Sequence, residues 1–301
     1  MRRLSIAVSA TAASLALAAC GSTSLGTTAP SVTPSATATV DPAAVALLPA
    51  AIKAKGTLVV GSDASYAPSE FLAADGTTVQ GFDVDLFKQV AATLGLKVTF
   101  KNASFGTIIG GVSSGKYDVG VSSFTVTQAR EKQANMISYF SAGTQWGTTA
   151  GNPKGVNPDA ACGLRIAVQS NTVEVPDVQA RSAACTKAGK AAIHIDQFDQ
   201  QSNATAAVIS GKDDAMLADS PVTAYAVKLS NGKMAALGAI YGSAPYGYVV
   251  SKSDTQLAQA IAAALKDVHA SGAYTQVLDA WGVSQGEVST FEVNPTNVPA
   301  S

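Results

Sequence analysis

The sequence predicts an α/β fold of two similar lobes with a ligand cleft between them, and three observations carry that expectation. First, residues 114–130, SGKYDVGVSSFTVTQAR, have a partial second copy ninety-six residues later, SGKDDAMLADSP at 210–221. In register, Ser114, Gly115, Lys116 and Asp118 fall on Ser210, Gly211, Lys212 and Asp214. Each copy reads as a turn followed by a buried strand, 119–121 in one and 215–217 in the other. Second, short apolar strands alternate with amphipathic helical segments. Third, residues 147–157 are rich in Gly, Asn, Thr and Pro, a natural crossing between lobes, and the chain returns through Ile240-Tyr241-Gly242 and residues 245–250. Both repeated strands end in small polar residues, Ser122-Ser123 and Ala218-Asp219. Ligands of open α/β sheets sit outside the carboxyl ends of the strands, so Ser123 and Asp219 should face one ligand from opposite sides.

The N-terminus reads as an address. Arg2 and Arg3 precede an apolar, alanine-rich run to Ala19 that is too short for a membrane span. It ends Leu17-Ala18-Ala19-Cys20-Gly21, which resembles a bacterial lipobox. The resemblance implies removal of residues 1–19 and a lipid on Cys20, so the protein is expected outside the cytoplasm, anchored to the cell membrane. Residues 20–50 are Ser, Thr, Ala, Pro and Gly with almost no charge, a flexible stalk. About thirty such residues would hold a domain ~30 Å from the membrane.

Composition sets further bounds. Loss of residues 1–19 removes two arginines and no acid, which takes the formal net charge from −1 to −3. With 14% charged residues and no basic run, nothing suggests a nucleic-acid surface. A 47% hydrophobic content suffices for a large core or two smaller ones. Of three cysteines, Cys20 goes to the lipid, which leaves Cys162 and Cys185 to pair in an oxidising compartment. Their spacing fits no zinc pattern, and with two histidines (His194 in a strand, His269 on a helix) no metal or other cofactor is expected.

The first lobe is assigned residues 51–146 plus 245–285. It opens with a β-branched strand at 56–61 and a polar loop, Asp63-Ala64-Ser65-Tyr66-Ala67-Pro68. A turn at Asp75-Gly76 precedes an amphipathic helix with Phe87, Val90, Ala91 and Leu94 on one face. Asp83 is placed as its N-cap and Asp85 in its first turn. A strand at 96–100 leads to Phe105, which opens the next helix, and the first SGK strand leads to a capped helix start carrying Arg130.

Gly81-Phe82-Asp83-Val84-Asp85-Leu86, with Ala91 and Leu94 at the expected offsets, resembles the signature of the family 3 solute-binding proteins. These are receptors of polar amino acid ABC importers. Residues 63–68 are similar to that family's first binding loop, and Ser122-Ser123-Phe124-Thr125 with Thr127 and Arg130 to its carboxylate-binding segment. The resemblance runs from about residue 56 to 282. It implies a type II periplasmic-binding-protein fold, whose lobes close about two crossings when ligand binds.

The second lobe is assigned residues 147–244. A strand at 163–169 ends in the turn Ser170-Asn171-Thr172, where the resemblance implies that Thr172 and backbone N–H groups meet the ligand carboxylate. The family often has glycine where Ser170 stands. A strand at 193–198, a helix at 205–209 and the second SGK turn lead to Asp219, at the position of the family's ammonium-binding aspartate. Ser220-Pro221 opens a helix at 222–229. Tyr248 departs from an aliphatic pattern in the return strand. Helices at 257–265 and 274–281 close the first lobe, and residues 286–301 read as a loosely held polar tail.

An α-amino acid offers a carboxylate, an ammonium and a side chain. Arg130 supplies a planar bidentate fork for the carboxylate, with Thr125 and Thr172 completing that end. Asp219 would neutralise the ammonium with Ser123 and its neighbour Ser122, while also serving as an N-cap. Tyr66 and Phe105 would sandwich the side chain. Asp63, with Gln169 beside it, faces the far end and favours a cation or an amide: glutamine, asparagine, arginine, lysine or histidine. The expected protein is a monomeric, non-enzymatic receptor that delivers this amino acid to ABC permease subunits. The alternative is a dehydratase of the prephenate or arogenate type on the same fold, which needs a general acid. A sensory domain feeding a kinase or channel is disfavoured because no transmembrane segment or second module follows in this sequence.

Overall fold

The computed structural model describes residues 39–301. The signal segment, Cys20 and the stalk as far as residue 38 lie outside the described residues. The stalk expected to reach residue 50 instead gives way to two short helices, α1 (Pro42–Leu47) and α2 (Ala50–Lys55). Asp41 caps α1, its carboxylate accepting from the N–H groups of Ala43 and Ala44 at 3.0 and 2.9 Å. Ala44, Leu48 and Ile52 recur every fourth residue and are buried in the core of the first lobe. The composition of a linker conceals this face because the segment is short, rich in alanine and interrupted by Pro42 and Pro49.

The first lobe continues with β1 (Thr57–Ser62), a small antiparallel sheet of β2 (Ser65–Tyr66), β3 (Glu70–Leu72) and β4 (Val79–Gln80), then α3 (Phe82–Thr93) and β5 (Lys97–Asn102). Next come α4 (Phe105–Ser113), β6 (Val119–Thr125), the short α5 (Gln128–Glu131) and the long β7 (Ala134–Thr149). The second lobe holds β8 (Arg165–Gln169), α6 (Glu174–Lys187), β9 (His194–Phe198), α7 (Gln201–Ile209), β10 (Ala215–Asp219) and α8 (Ser220–Leu229). The long β11 (Met234–Ser251) returns, and α9 (Thr255–Ala270) and α10 (Ala273–Trp281) close the first lobe.

The main sheet has the order β5-β1-β6-β11-β7-β10-β8-β9. β1 runs parallel to β5 and β6, and β8 parallel to β9 and β10, so each lobe carries the same parallel core. β7 and β11 are antiparallel to each other and pass through both lobes. The early part of β7 belongs to the first lobe, whereas Thr144 already faces Asp219 of β10, and Trp146 lies in the second lobe's core. The first crossing therefore falls a few residues before 147, inside a continuous strand rather than in the Gly- and Pro-rich loop that follows. At that place a side chain on Gly143 would put its Cβ 2.6 Å from the carbonyl oxygen of Tyr241.

The sequence repeat has a physical basis. After the first SGK turn, Asp118 Oδ2 accepts the N–H of Val59 (2.6 Å) while its own N–H donates to the Val59 carbonyl (2.8 Å). After the second, Asp214 Oδ2 accepts the N–H of Arg165 (2.9 Å) and its N–H donates to the Arg165 carbonyl (2.8 Å). Each copy thus fastens the start of its strand to the first strand of its lobe. Gly115 and Gly211 both sit at φ 76°, the left-handed region these turns require.

The departure at Tyr248 is accommodated by stacking, with its ring 3.9 Å from that of Tyr139 and 7° from parallel. Asp83 does not cap α3; Gly81 stands at that position, and the Asp83 carboxylate turns into the core. Residues 286–301 are docked rather than loose. Glu292 and Ser138 exchange hydrogen bonds, Asn294 does the same with Met136, and Phe291 is buried against Tyr274. Among the described residues no helix is long and apolar enough to cross a membrane.

Cys162 and Cys185 form a disulfide that ties the turn before β8 to α6. Closing a loop of that length should stabilise the fold by about 3 kcal/mol in the chain-entropy model, so reduction should lower the urea midpoint. An unchanged midpoint would show that the bond is energetically idle. Relative to a chain truncated to begin at residue 39, further removal of residues 39–55 strips three apolar side chains from the core and should cost about 3–5 kcal/mol. Equal stability of both truncated chains would count against the packing role of α1 and α2.

Candidate functional site

The carboxyl ends of the parallel strands of both lobes converge on one narrow cavity, which leaves about 10 Å³ of water-accessible space. All ten residues expected at a ligand line it: Asp63, Tyr66, Phe105, Ser122, Ser123, Thr125 and Arg130 from the first lobe, Gln169, Thr172 and Asp219 from the second. Glu70, Val173 and Glu174 complete the wall and were not foreseen.

Local structure explains each placement. Asp63 follows β1, and its Oδ2 accepts the N–H of Phe105 at the head of α4 (2.9 Å) and the side chain of Gln169 from the other lobe (3.1 Å). Arg130 lies on α5, which Thr127 caps by accepting the Arg130 N–H at 3.2 Å. Its guanidinium donates to the Thr125 carbonyl (2.8 Å) and, across the cleft, to the Asn171 carbonyl (3.1 Å). It lies 5.4 Å from the Phe105 ring centre, while Phe105 stacks on Phe124 at 4.7 Å. Tyr66 and Phe105 both line the cavity, but Tyr66 chiefly works as a donor, its hydroxyl reaching Asp219 Oδ2 at 2.8 Å.

In the turn after β8, Asn171 takes the left-handed conformation at φ 66°, so the chain bends without a glycine where Ser170 stands. Thr172 donates to the Gln169 carbonyl (2.8 Å) and holds the turn closed. Across the cleft Gly106 admits this turn; a Cβ there would come within 2.5 Å of the Asn171 amide. Asp219 is the N-cap residue of α8, although its side chain makes no capping bond and faces the cavity instead.

Ser123 differs from expectation. It sits at φ 49°, and its hydroxyl lies 3.3 Å from Glu70 and 3.2 Å from Asp83 rather than beside Asp219. Ser122 accepts the Asp63 N–H (3.0 Å) and donates to Glu70 (3.2 Å). Glu70, Asp83 and the Tyr139 hydroxyl, 2.5 Å from Asp83, form a buried floor beneath the two serines. Burial and the Asp83 carboxyl push Glu70 well above the usual carboxylate range, and burial pushes Asp83 up to about 6. Glu174, at the head of α6, is buried and accepts the Thr144 hydroxyl at 2.8 Å. A sequence cue for it exists, an acid opening a helix directly after a strand-end turn. Burial, and then the charge of Glu174, push Asp219 up to about 8, against the opposing pull of the tyrosine hydroxyls and Arg130.

Two equivalent lobes on shared strands, enclosing a small cavity lined by an arginine and several carboxyls, are the architecture of a solute-binding protein. The chain belongs to the bacterial extracellular solute-binding proteins, family 3, whose model matches residues 58–284. It is 34% identical over 250 residues to the arginine-binding protein ArgT of Corynebacterium glutamicum, covering 83% of this chain and 82% of that protein. The solved structure of an ancestral arginine-binding protein bound to arginine is similar at a TM-score of 0.69 and 32% identity, over 75% of this chain and 98% of that one. An ancestral amino acid-binding protein described as a precursor of cyclohexadienyl dehydratase is similar at 0.65 and 30%, over 77% and 97%. The fold is that of the type II periplasmic amino acid-binding proteins.

The raised Asp219 and Asp83 make stability depend on pH. A carboxyl raised in the folded state keeps a proton that the unfolded chain releases, so its contribution is greatest below the ordinary value of 3.8 and is lost as pH rises to about 8 for Asp219. The melting temperature without ligand should fall from about pH 5 to about pH 8, and Asp219→Asn should make that fall shallower. A wild-type melting temperature that rises across this interval would contradict the assignment.

Proposed function

We propose that this protein is a lipid-anchored extracytoplasmic receptor that captures a cationic α-amino acid, arginine or lysine, and delivers it to an ABC importer. The observation that carries this reading is the set of acids around the cavity: the carboxyls of Asp63, Glu174 and Asp219 face the single guanidinium of Arg130, and a ligand cation brought to Asp219 favours release of the proton that burial leaves there. A ligand with one carboxylate and two cations matches that arrangement, and a neutral amide leaves one carboxylate unpaired. The carboxylate lies on Arg130 with Thr125 and Thr172, the ammonium on Asp219 and Glu174, and the distal cation on Asp63 beside Gln169. Tyr66 and Phe105 cover the aliphatic stem. The similarity to arginine-binding proteins supports the same choice. Tethering through Cys20, export and a monomeric receptor complete the proposal and rest on the N-terminal sequence and the family.

The dehydratase alternative fares poorly on the same charge. Prephenate brings two carboxylates, and three more already line the cavity against one arginine. Glu70 and Glu174 do add carboxyl groups beyond Asp63, so prephenate turnover by the purified protein would reopen that reading.

Thermal shifts with the twenty amino acids, followed by calorimetry, test the proposal. Arginine or lysine at a hundredfold excess over its Kd should add about 2.7 kcal/mol, and glutamine should bind more weakly. Arg130→Ala should cost about 3–5 kcal/mol of binding, a loss on the order of a hundred- to several-thousandfold. Asp63→Asn should narrow the gap between arginine and glutamine. A preference for glutamine in the wild-type protein, or near-normal affinity in Arg130→Ala, would defeat the assignment.

A further inference from the structure

Asp63 belongs to two spaces. On one side lies the narrow cavity; on the other lies an open polar chamber between the lobes, with about 450 Å³ of water-accessible space. The chamber is walled by Asn102 and Ser104 from the first lobe and by Asp199, Gln200 and Asn203 from the second. Gln169 spans the partition, its side-chain nitrogen donating to Asp63 Oδ2 and to the Asp199 carbonyl at 3.1 Å each. Asp63 and Gln169 therefore form a doorway rather than a sealed end. The partition on the lobe-2 side is one amide side chain, so a change of its rotamer would open it.

The chemistry beyond that doorway is specific. Amide and hydroxyl groups dominate, the single additional charge is the Asp199 carboxylate, and the space is open to water. A distal guanidinium or ammonium held by Asp63 presents its far side to this chamber. In a sealed pocket, a substituent on the distal nitrogen would overlap protein atoms; here it has solvated room and polar partners.

Resting on the proposed function, we infer that the site also takes basic amino acids substituted on their distal nitrogen, with the substituent lodged in this chamber. The class comprises N-alkylated arginines and lysines, in which the α-carboxylate and α-ammonium keep their partners. Specificity is then strict at the α-carbon end and permissive at the other.

Calorimetry with arginine, Nω,Nω-dimethylarginine and Nω-propylarginine tests this on the full folded protein. Both derivatives should bind within about tenfold of arginine. Asn203→Trp, on the exposed side of α7, should fill the chamber. It should weaken propylarginine by more than about tenfold and arginine by less than about twofold, with Asn203→Ala leaving all three unchanged. Propylarginine more than about a hundredfold weaker than arginine on the wild-type protein would overturn the inference. For any smaller gap the Asn203→Trp comparison decides, and equal effects of that substitution on the three ligands would also overturn it. If arginine itself fails to bind, the proposed function falls and this inference with it, an outcome distinct from selective loss of the propyl compound.

Discussion

The antiparallel ladder between β7 and β11 is the constraint on which the other features depend. It registers Tyr246 against Phe140 in the first lobe and Leu237 against Trp146 in the second, with irregular register between Leu237 and Ala244. A regular sheet would fix the lobes rigidly, and two loops would let them drift. The ladder is interrupted near Gly143, at the crossing, and shifts once more within the first lobe between Tyr246 and Gly247. The strand ends that line the cavity are positioned by this pair: β6 borders β11 and β10 borders β7, so Ser123 and Asp219 each lie one strand from the crossing.

The cavity owes its character to an uneven distribution of charge and of protons. Glu70 and Asp83 are packed beneath the serines at a separation that disfavours two charges, so protons stay with the floor. Asp63 and Asp219 stand at opposite walls, each already tied to a partner in the other lobe: Gln169 for the first, Tyr66 for the second. The same groups that face the cavity thus hold the lobes together. Any ligand that enters the cavity meets carboxyls already engaged in those bonds.

Much of this was legible in the sequence because the informative features are local. The SGK turns, the polar strand ends and the arginine five residues beyond Thr125 each carry their own chemistry within a few residues. Long-range order was harder to read. β7 is buried along nearly its whole length, so the polar–apolar alternation that marks a half-exposed strand is missing from it. α1 and α2 are two short helices whose stability comes from a core built by residues far along the chain. Glu70 and Glu174 look like surface acids, and only tertiary burial shows otherwise. The docked tail has no periodicity because its hydrogen bonds go to Met136, Ser138 and α5, not to itself.

That tail reaches the head of α5, the helix that carries Arg130. The carbonyls of Pro299 and Ala300 accept the N–H groups of Gln128 and Ala129, the two residues that precede Arg130 on α5. A helix of four residues has few bonds of its own to fix its first turn, and here the Thr127 cap and the tail share that task. The far end of the polypeptide thus serves as a splint for the guanidinium. Whatever is cut from residues 299–301 or attached to them should be felt in the placement of Arg130 sooner than in the integrity of either lobe.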